Sequence, residues 1–506
     1  MSAGLAFAPT RIPLLLFVGL SGLALLLEGS FASPKPRRTA FFIGTAYGAG
    51  FFAMTMFWLG NAFLVQADQF AWMIPIILPL FYLFLGLFFG LAGLSHVAFR
   101  LRFPARGLVK LLPLVAFLGA AEWLRGHVLS GFPWNLHAQV AAFSTFSLQP
   151  LAILGPYGYG TVITLMAVTP AMAILTPERS GRVLALVVGL TAILGTYSAL
   201  RLGTFQAEPR GDAHVIIIQP NVAQKDKLDP SKTNQALLRS LEMTARAANQ
   251  SSAEGSIYAL WPENAYPFID RIPDLGIYLG TELPDEAWLI TGSIRSVPEG
   301  YANTLFVYGP AGENAPQHTV YDKHRLVPFG ETLPFYQVFE ALNIESLSPT
   351  GGRGFIPGNG PVRVNAGAAS FSPLICYEDV FPGGLFPRRE RPDWLVVITN
   401  DAWFGDRAGP MQHLDIARMR AVETGLPLAR SANTGISALI DADGRILHRL
   451  PLYKPGVITA ALPPARDRTF HSQTGDLIFY AMLGFITLLA TREALQGIRE
   501  KGNQGA

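Results

Sequence analysis

Residues 72–98 contain no Asp, Glu, Lys or Arg. A helix needs roughly 20 apolar residues to cross a bilayer, with about 17 as the lower limit, so this run is long enough to span. Read instead as a buried core helix, it would need a very large soluble core around it. Similar apolar runs occupy 12–27, 40–63, 107–124, 157–176, 183–200 and 475–491. Only 15% of the 506 residues are charged, against about 25% in a soluble domain, and the deficit is local. The sequence therefore predicts seven membrane-spanning helices.

The loops between these runs set the direction. Lys35, Arg37 and Arg38 follow the first run, and Arg100, Arg102, Arg106 and Lys110 follow the third. Arg179 and Arg182 separate the fifth and sixth, and Arg492, Arg499 and Lys501 follow the last. Loops such as 64–71 lack this enrichment, and basic loops stay in the cytoplasm. The expected organisation is a helical membrane domain over 1–200, an extracytoplasmic domain over 201–474, a returning helix over 475–491 and a cytoplasmic tail over 492–506. Seven spans place Met1 outside. Met1–Pro9 is too short to cross and reads as the tail of a further helix.

Several function classes fall away. The net charge of +3 is small for a nucleic-acid binder, and no basic run with interleaved aromatics occurs. A single cysteine rules out an intramolecular disulfide and any Cys-based metal framework, and no HExxH pattern is present. Gly155-Pro-Tyr-Gly-Tyr-Gly160 lacks the Lys-Ser/Thr of a phosphate cradle and reads as a loop. Glu122, Arg125 and Gly131-Phe-Pro-Trp134 fall at the outer interface. They read either as ordinary helix-end anchors or as a polar lining for a lipid headgroup.

From residue 213 the texture changes. His214–Gln219, Ile257–Trp261, Ala287–Thr291, Thr304–Tyr308, Ser370–Ile375 and Trp394–Thr399 read as buried strands, and 231–250 and 410–425 as helices. Together they predict one α/β domain with helix-covered sheets. Three strands end in polar clusters: Pro262-Glu263, Cys376-Tyr377-Glu378-Asp379 and Asn400-Asp401-Ala402-Trp403-Phe404-Gly405. Between the first two lies Tyr321-Asp322-Lys323-His324-Arg325. Strand ends sharing one sheet edge are where such folds present reactive groups.

Singly, each residue has a plain explanation: a small buried thiol, a turn carboxylate, a surface ammonium. Their combination carries chemistry. A thiol of pKa near 8.5 is mostly protonated at neutral pH. A carboxylate in hydrogen-bond reach can take the proton, and an ammonium beside it stabilises both the thiolate and a tetrahedral oxyanion. Glu263, Lys323 and Cys376 supply those parts without histidine.

The segments WPENAYP, YDKHRLVPFGE, ICYED and NDAWFG resemble the signatures of the nitrilase superfamily. With the multispan part and GFPW at 131–134, the chain resembles the apolipoprotein N-acyltransferase family of bacterial envelopes. That resemblance implies a periplasmic αββα sandwich beside the membrane helices, in the inner membrane. It implies Glu263 as general base, Lys323 as catalytic lysine and Cys376 as nucleophile. Glu331, Tyr377, Glu378 and Asn303 match supporting positions. No cofactor is implied. The implied partners are a phospholipid acyl donor, with phosphatidylethanolamine expected, and the α-amine of an S-diacylglyceryl apolipoprotein. The family's usual Trp after a lysine is Leu228 here.

Phe335 and Phe339, with Val338 and Leu342, fall on one face of a helix over 333–344. This helix reads either as core packing or as a lid that dips into lipid. Trp403 and Phe404 read as core packing or as further lipid contacts. The rival assignment is a membrane-tethered amidase of the nitrilase type, for which so many spans are an excessive anchor.

Overall fold

The computed structural model describes residues 1–104, 107–204, 208–227, 230–250, 254–272, 282–284, 286–310, 318–332 and 354–504. Leu14–Ala32, Ala67–Arg102, Leu151–Leu175 and Pro177–Gly203 are long and apolar enough to cross a bilayer. Pro36–Thr55 and Phe57–Leu64, bent by 60°, form a fifth passage if they act together. The outward faces stay apolar, with Leu80, Leu83, Leu91, Leu184, Val188 and Ile193 exposed. Such faces are unfavourable in water by about 25 cal/mol per Å² and are matched by lipid.

The expected seven spans differ from this at two places. Run 107–124 is a 3-10 helix over Gly107–Leu111 that continues into the α-helix Leu112–His127, and it is not among the four helices and the bent pair above. Run 475–491 is the start of Leu477–Gln504, whose later half carries Arg492, Glu493, Arg499 and Lys501. The segment 155–160 is not a loop. It lies within the helix Leu151–Ala167, kinked where Gly155 takes φ 63°. Pro156 then opens the second arm, where a missing N–H costs nothing.

Small residues set the closest helix contact. Gly44 and Gly48 of Pro36–Thr55 face Gly86 and Gly90 of Ile74–Arg102. Paired GxxxG stripes let two backbones approach without side chains between them. At one end of the bundle Glu28 pairs with Arg100 and, at 3.6 Å, with Lys110. The opposite end, around Thr55, Trp58 and Trp134, meets the second domain.

Among the described residues that domain has two six-stranded sheets, ordered β12-β1-β2-β3-β4-β5 and β11-β10-β9-β8-β7-β6. In the first, β1 (Ala213–Gln219), β2 (Ser256–Leu260) and β3 (Ala287–Val297) are parallel. β4 (Gly300–Tyr308) and β5 (His318–Asp322) continue antiparallel, and β12 (Gly456–Ala461) flanks β1. In the second, β7 (Ala369–Ile375), β8 (Trp394–Thr399) and β9 (Leu428–Ala432) are parallel. β6 (Val364–Ala366) and the pair β10 (Ala438–Ile440) and β11 (Ile446–Arg449) complete it.

Alternation along the strands builds the layers. Val215 and Ile217 of β1 meet Trp394, Val396 and Ile398 of β8 between the sheets. Ile216 and Ile218 face the helix Pro230–Gln250, and Leu395 and Val397 face Ala408–Thr424. Both faces of each sheet are covered, so the strands read as unbroken apolar runs. The architecture is an αββα sandwich.

Helix Ala408–Thr424 is buried all round. Leu414, Ala417 and Ala421 lie on the sheet, and Ile416, Met419 and Val422 pack into the membrane-side core. Gln412 is its main polar lock. Its Oε1 accepts from Trp58 and Trp134 Nε1, and its Nε2 donates to Ala8 O and Thr55 O. Arg11 pairs with Asp415 at 2.8 Å nearby.

At Gly86 an added methyl group meets the Thr45 carbonyl oxygen at 2.5 Å and the Ala49 nitrogen at 2.8 Å, whereas at Gly22 it meets nothing within 4 Å. Gly86→Ala is therefore expected to destabilise the protein by about 1–3 kcal/mol, with Gly22→Ala neutral or better. Thermal unfolding of the two variants in detergent checks this.

Candidate active site

The polar strand ends converge at one edge of the sandwich. Glu263 follows β2, Lys323 follows β5, Cys376 follows β7 and Asn400 follows β8. Close approach forms the Glu263 turn: a methyl group at Gly292 of β3 falls 2.6 Å from Glu263 Cα. Lys227 holds the same turn, donating to the carbonyls of Glu263 at 3.2 Å and Asn264 at 3.1 Å.

Lys323 is 1% exposed and lies between two carboxylates. Its Nζ is 2.8 Å from Glu331 Oε1 and 3.4 Å from Glu263 Oε1. Asn303 Nδ2 donates to both, at 2.8 Å to Glu263 and 2.9 Å to Glu331. The outer oxygens are held by backbone: Asn400 N donates to Glu263 Oε2 and Val327 N to Glu331 Oε2. Burial disfavours the ammonium, but Glu331 and then Glu263 outweigh it and hold the Lys323 pKa above an ordinary lysine's. It is a fixed cation at any working pH.

Cys376 sits at the end of β7 with φ 51°, a left-handed conformation that disfavours any side chain with a Cβ. The turn sets the thiol within electrostatic reach of Glu263 and Lys323. Burial, then Glu263, push its pKa well above the usual thiol value, while Lys323 pulls the other way. The resting group is therefore a thiol.

Glu378 holds this strained turn. Its carboxylate accepts from Ile375 N at 2.7 Å, His324 N at 2.8 Å and Tyr321 Oη at 2.9 Å. One buried group thereby ties the thiol-bearing turn to the lysine-bearing segment. Tyr377 points the other way and donates to Gly131 O at 2.9 Å in the membrane part.

Of the aromatic candidates, Phe404 packs against Trp58 at 4.8 Å and Trp134 at 5.7 Å. Trp403 is half-buried in the same turn. Beside this turn lies a cleft of about 410 Å³, lined by Phe57, Trp58, Leu64, Ile74 and Leu78 with Asp406 and Arg407. Phe335, Phe339 and Leu228 lie outside the described residues. The Glu122 and Arg125 group is not a headgroup lining. Both side chains are buried: Arg125 donates to Phe132 O and Trp134 O at 2.6 Å, and Glu122 accepts from His137 N. They fold the Gly131–Trp134 loop back on its helix.

A second buried cluster under the thiol turn escaped the sequence reading. His413 lies 2.7 Å from Asp379 and 2.9 Å from Asp401, and Arg430 lies 2.7 Å from Asp401 and 3.4 Å from Asp379. Burial and Arg430 lower the His413 pKa, but Asp379 and Asp401 outweigh them and raise it. The available signal was Arg430 inside a fully buried strand, where a charge needs partners.

Fold and site together define a membrane-embedded member of the carbon-nitrogen hydrolase class. The carbon-nitrogen hydrolase family model matches residues 217–471, and that of the apolipoprotein N-acyltransferase N-terminal domain matches 1–169. The apolipoprotein N-acyltransferase of Bradyrhizobium diazoefficiens is 36% identical, covering 96% of this chain and 92% of its own. That of Rhodopseudomonas palustris is 33% identical, covering 97% and 93%. A solved carbon-nitrogen hydrolase superfamily protein from Xanthomonas campestris is 18% identical, with TM-score 0.34, covering 54% of this chain and 97% of that one. The chain belongs to the apolipoprotein N-acyltransferase family.

Alkylation of Cys376 by iodoacetamide is expected to be slow at pH 8 compared with a free thiol. Because Lys323 lowers the thiol pKa, Lys323→Met is expected to be alkylated more slowly still than the parent. Stopped-time mass spectrometry reads both. Arg430→Met leaves Asp379 and Asp401 under-compensated and is expected to cost about 3–5 kcal/mol, read as a lowered unfolding temperature.

Proposed function

We propose that the chain moves an acyl group from a phospholipid to the α-amine of a diacylglyceryl apolipoprotein through a thioester on Cys376. Glu263 takes the thiol proton as Sγ attacks the sn-1 ester carbonyl. The Lys323 ammonium stabilises the oxyanion, and the intermediate collapses to the thioester. Glu263 returns the proton to the departing lysophospholipid oxygen. The acceptor amine, with a pKa near 8, then attacks the thioester. Glu263 collects the amine proton and passes it to the leaving sulfur, which restores the resting thiol and leaves an amide. Glu331 and Asn303 hold Lys323 and Glu263 in place, and Glu378 and Tyr377 hold the thiol turn.

The observation that carries this reading is the buried Lys323 wedged between Glu263 and Glu331 beside Cys376, at a seam with apolar helices. The 410 Å³ cleft beside the Phe404 turn offers a berth for an acyl chain. Phosphatidylethanolamine is the proposed donor. The proposed setting is the bacterial inner membrane, with residues 201–474 in the periplasm and 1–200 and 475–491 as the membrane part. The basic Arg100 and Lys110 lie at the end of the bundle away from the second domain, which agrees with the positive-inside rule.

Full-length enzyme given phosphatidylethanolamine labelled in its sn-1 chain and a diacylglyceryl-cysteine peptide is expected to label the peptide's amine. Glu263→Gln should slow this by about 10²–10⁴-fold and Cys376→Ala should abolish it. Release of free fatty acid with an unlabelled peptide would instead make the chain a hydrolase.

A further inference from the structure

Two residues past Lys323, the main chain of Arg325 donates to Glu378 Oε1 at 3.3 Å. The Arg325 side chain is half-buried and its Cζ lies over the Phe381 ring, 4.2 Å from its centroid. Phe381 in turn packs edge-on against Tyr377 at 5.0 Å. It also lies against Gly131, where a methyl group would meet the ring at 3.1 Å. The guanidinium therefore stands at the seam between the sandwich and the membrane helices, on the Cys376 side.

Several other arginines of this domain close on carboxylates, among them Arg295 on Asp322, Arg430 on Asp401 and Arg466 on Asp443. Among the described residues the Arg325 guanidinium has no such partner, since Glu378 is occupied by Ile375 N, His324 N and Tyr321 Oη. A methyl group added at Gly384 would stand 3.9 Å from Arg325 Nη2, so the guanidinium lies beside the turn that follows Phe381. A planar fork of donors over an aromatic ring, with no carboxylate partner among the described residues, suits a phosphodiester.

We propose that Arg325 binds the phosphodiester of the acyl donor and so selects phospholipids over neutral esters. This rests on the phospholipid-donor reading above. The acceptor half-reaction involves no phosphate and does not need this contact.

The test uses full-length enzyme and single-turnover acylation of Cys376. The donors are phosphatidylethanolamine, diacylglycerol with the same chains and the p-nitrophenyl ester of the same fatty acid. Arg325→Gln is expected to slow acylation by the phospholipid about 10- to 100-fold, with Arg325→Lys intermediate. It should leave the rates with the two phosphate-free donors unchanged, which also shows that the variant is folded. Equal slowing with all three donors, or no slowing with any, overturns the assignment. Inhibition of p-nitrophenyl ester turnover by inorganic phosphate in the parent but not in Arg325→Gln would assign the site to a free anion instead. A parent enzyme that forms a thioester from the p-nitrophenyl ester but never from phospholipid would overturn the donor reading itself.

Discussion

A lysine with 1% of its surface exposed keeps its charge only if carboxylates replace the water it has lost. Lys323 has two, and the geometry of the whole edge follows from satisfying them. Glu263 and Glu331 share Asn303 as a common donor and are held at their outer oxygens by Asn400 N and Val327 N. Burial and the Glu263 carboxylate, against the pull of Lys323, hold the Cys376 thiol pKa well above its usual value.

Positioning this edge against a lipid source falls to helix Ala408–Thr424, which serves two cores at once. Its Leu414, Ala417 and Ala421 belong to the sandwich, and its Ile416, Met419 and Val422 belong to the membrane side. Gln412 and His413, adjacent in sequence, divide the polar work. Gln412 binds Trp58, Trp134, Ala8 and Thr55, and His413 braces Asp379 beneath the thiol turn. The thiol turn is thus fixed from below by a charged cluster and from the membrane side by Tyr377 on Gly131.

Much of this was legible in the sequence, for identifiable reasons. Strands covered on both faces read as unbroken apolar runs, so β1, β2, β7 and β8 were found within a residue or so. The short flanking strands β6, β10 and β11, half-exposed or only three to four residues long, carry no such signal. Glu263, Lys323, Glu331 and Cys376 were visible as strand-end polar residues and by family resemblance, and the structure brings them together. What pattern could not show was partnership across distance. His413 with Asp379, Arg430 with Asp401, and Lys227 with the Glu263 turn are separated by 34, 29 and 36 positions. Glycine runs misled in one place, because Gly155–Gly160 is a kinked helix packed in apolar surroundings, where an internal hydrogen-bond ladder is obligatory. Polar residues at a helix end misled in another. Arg125 serves the carbonyls of its own following loop and never reaches a headgroup.

The most direct measurement is the intact mass of the enzyme after exposure to phosphatidylethanolamine without acceptor, followed by peptide mapping and an acceptor chase. One fatty-acyl adduct, confined to Cys376 and discharged by a diacylglyceryl-cysteine peptide, is the predicted result. An adduct on another residue, or an adduct on Cys376 that the amine fails to discharge, would contradict it.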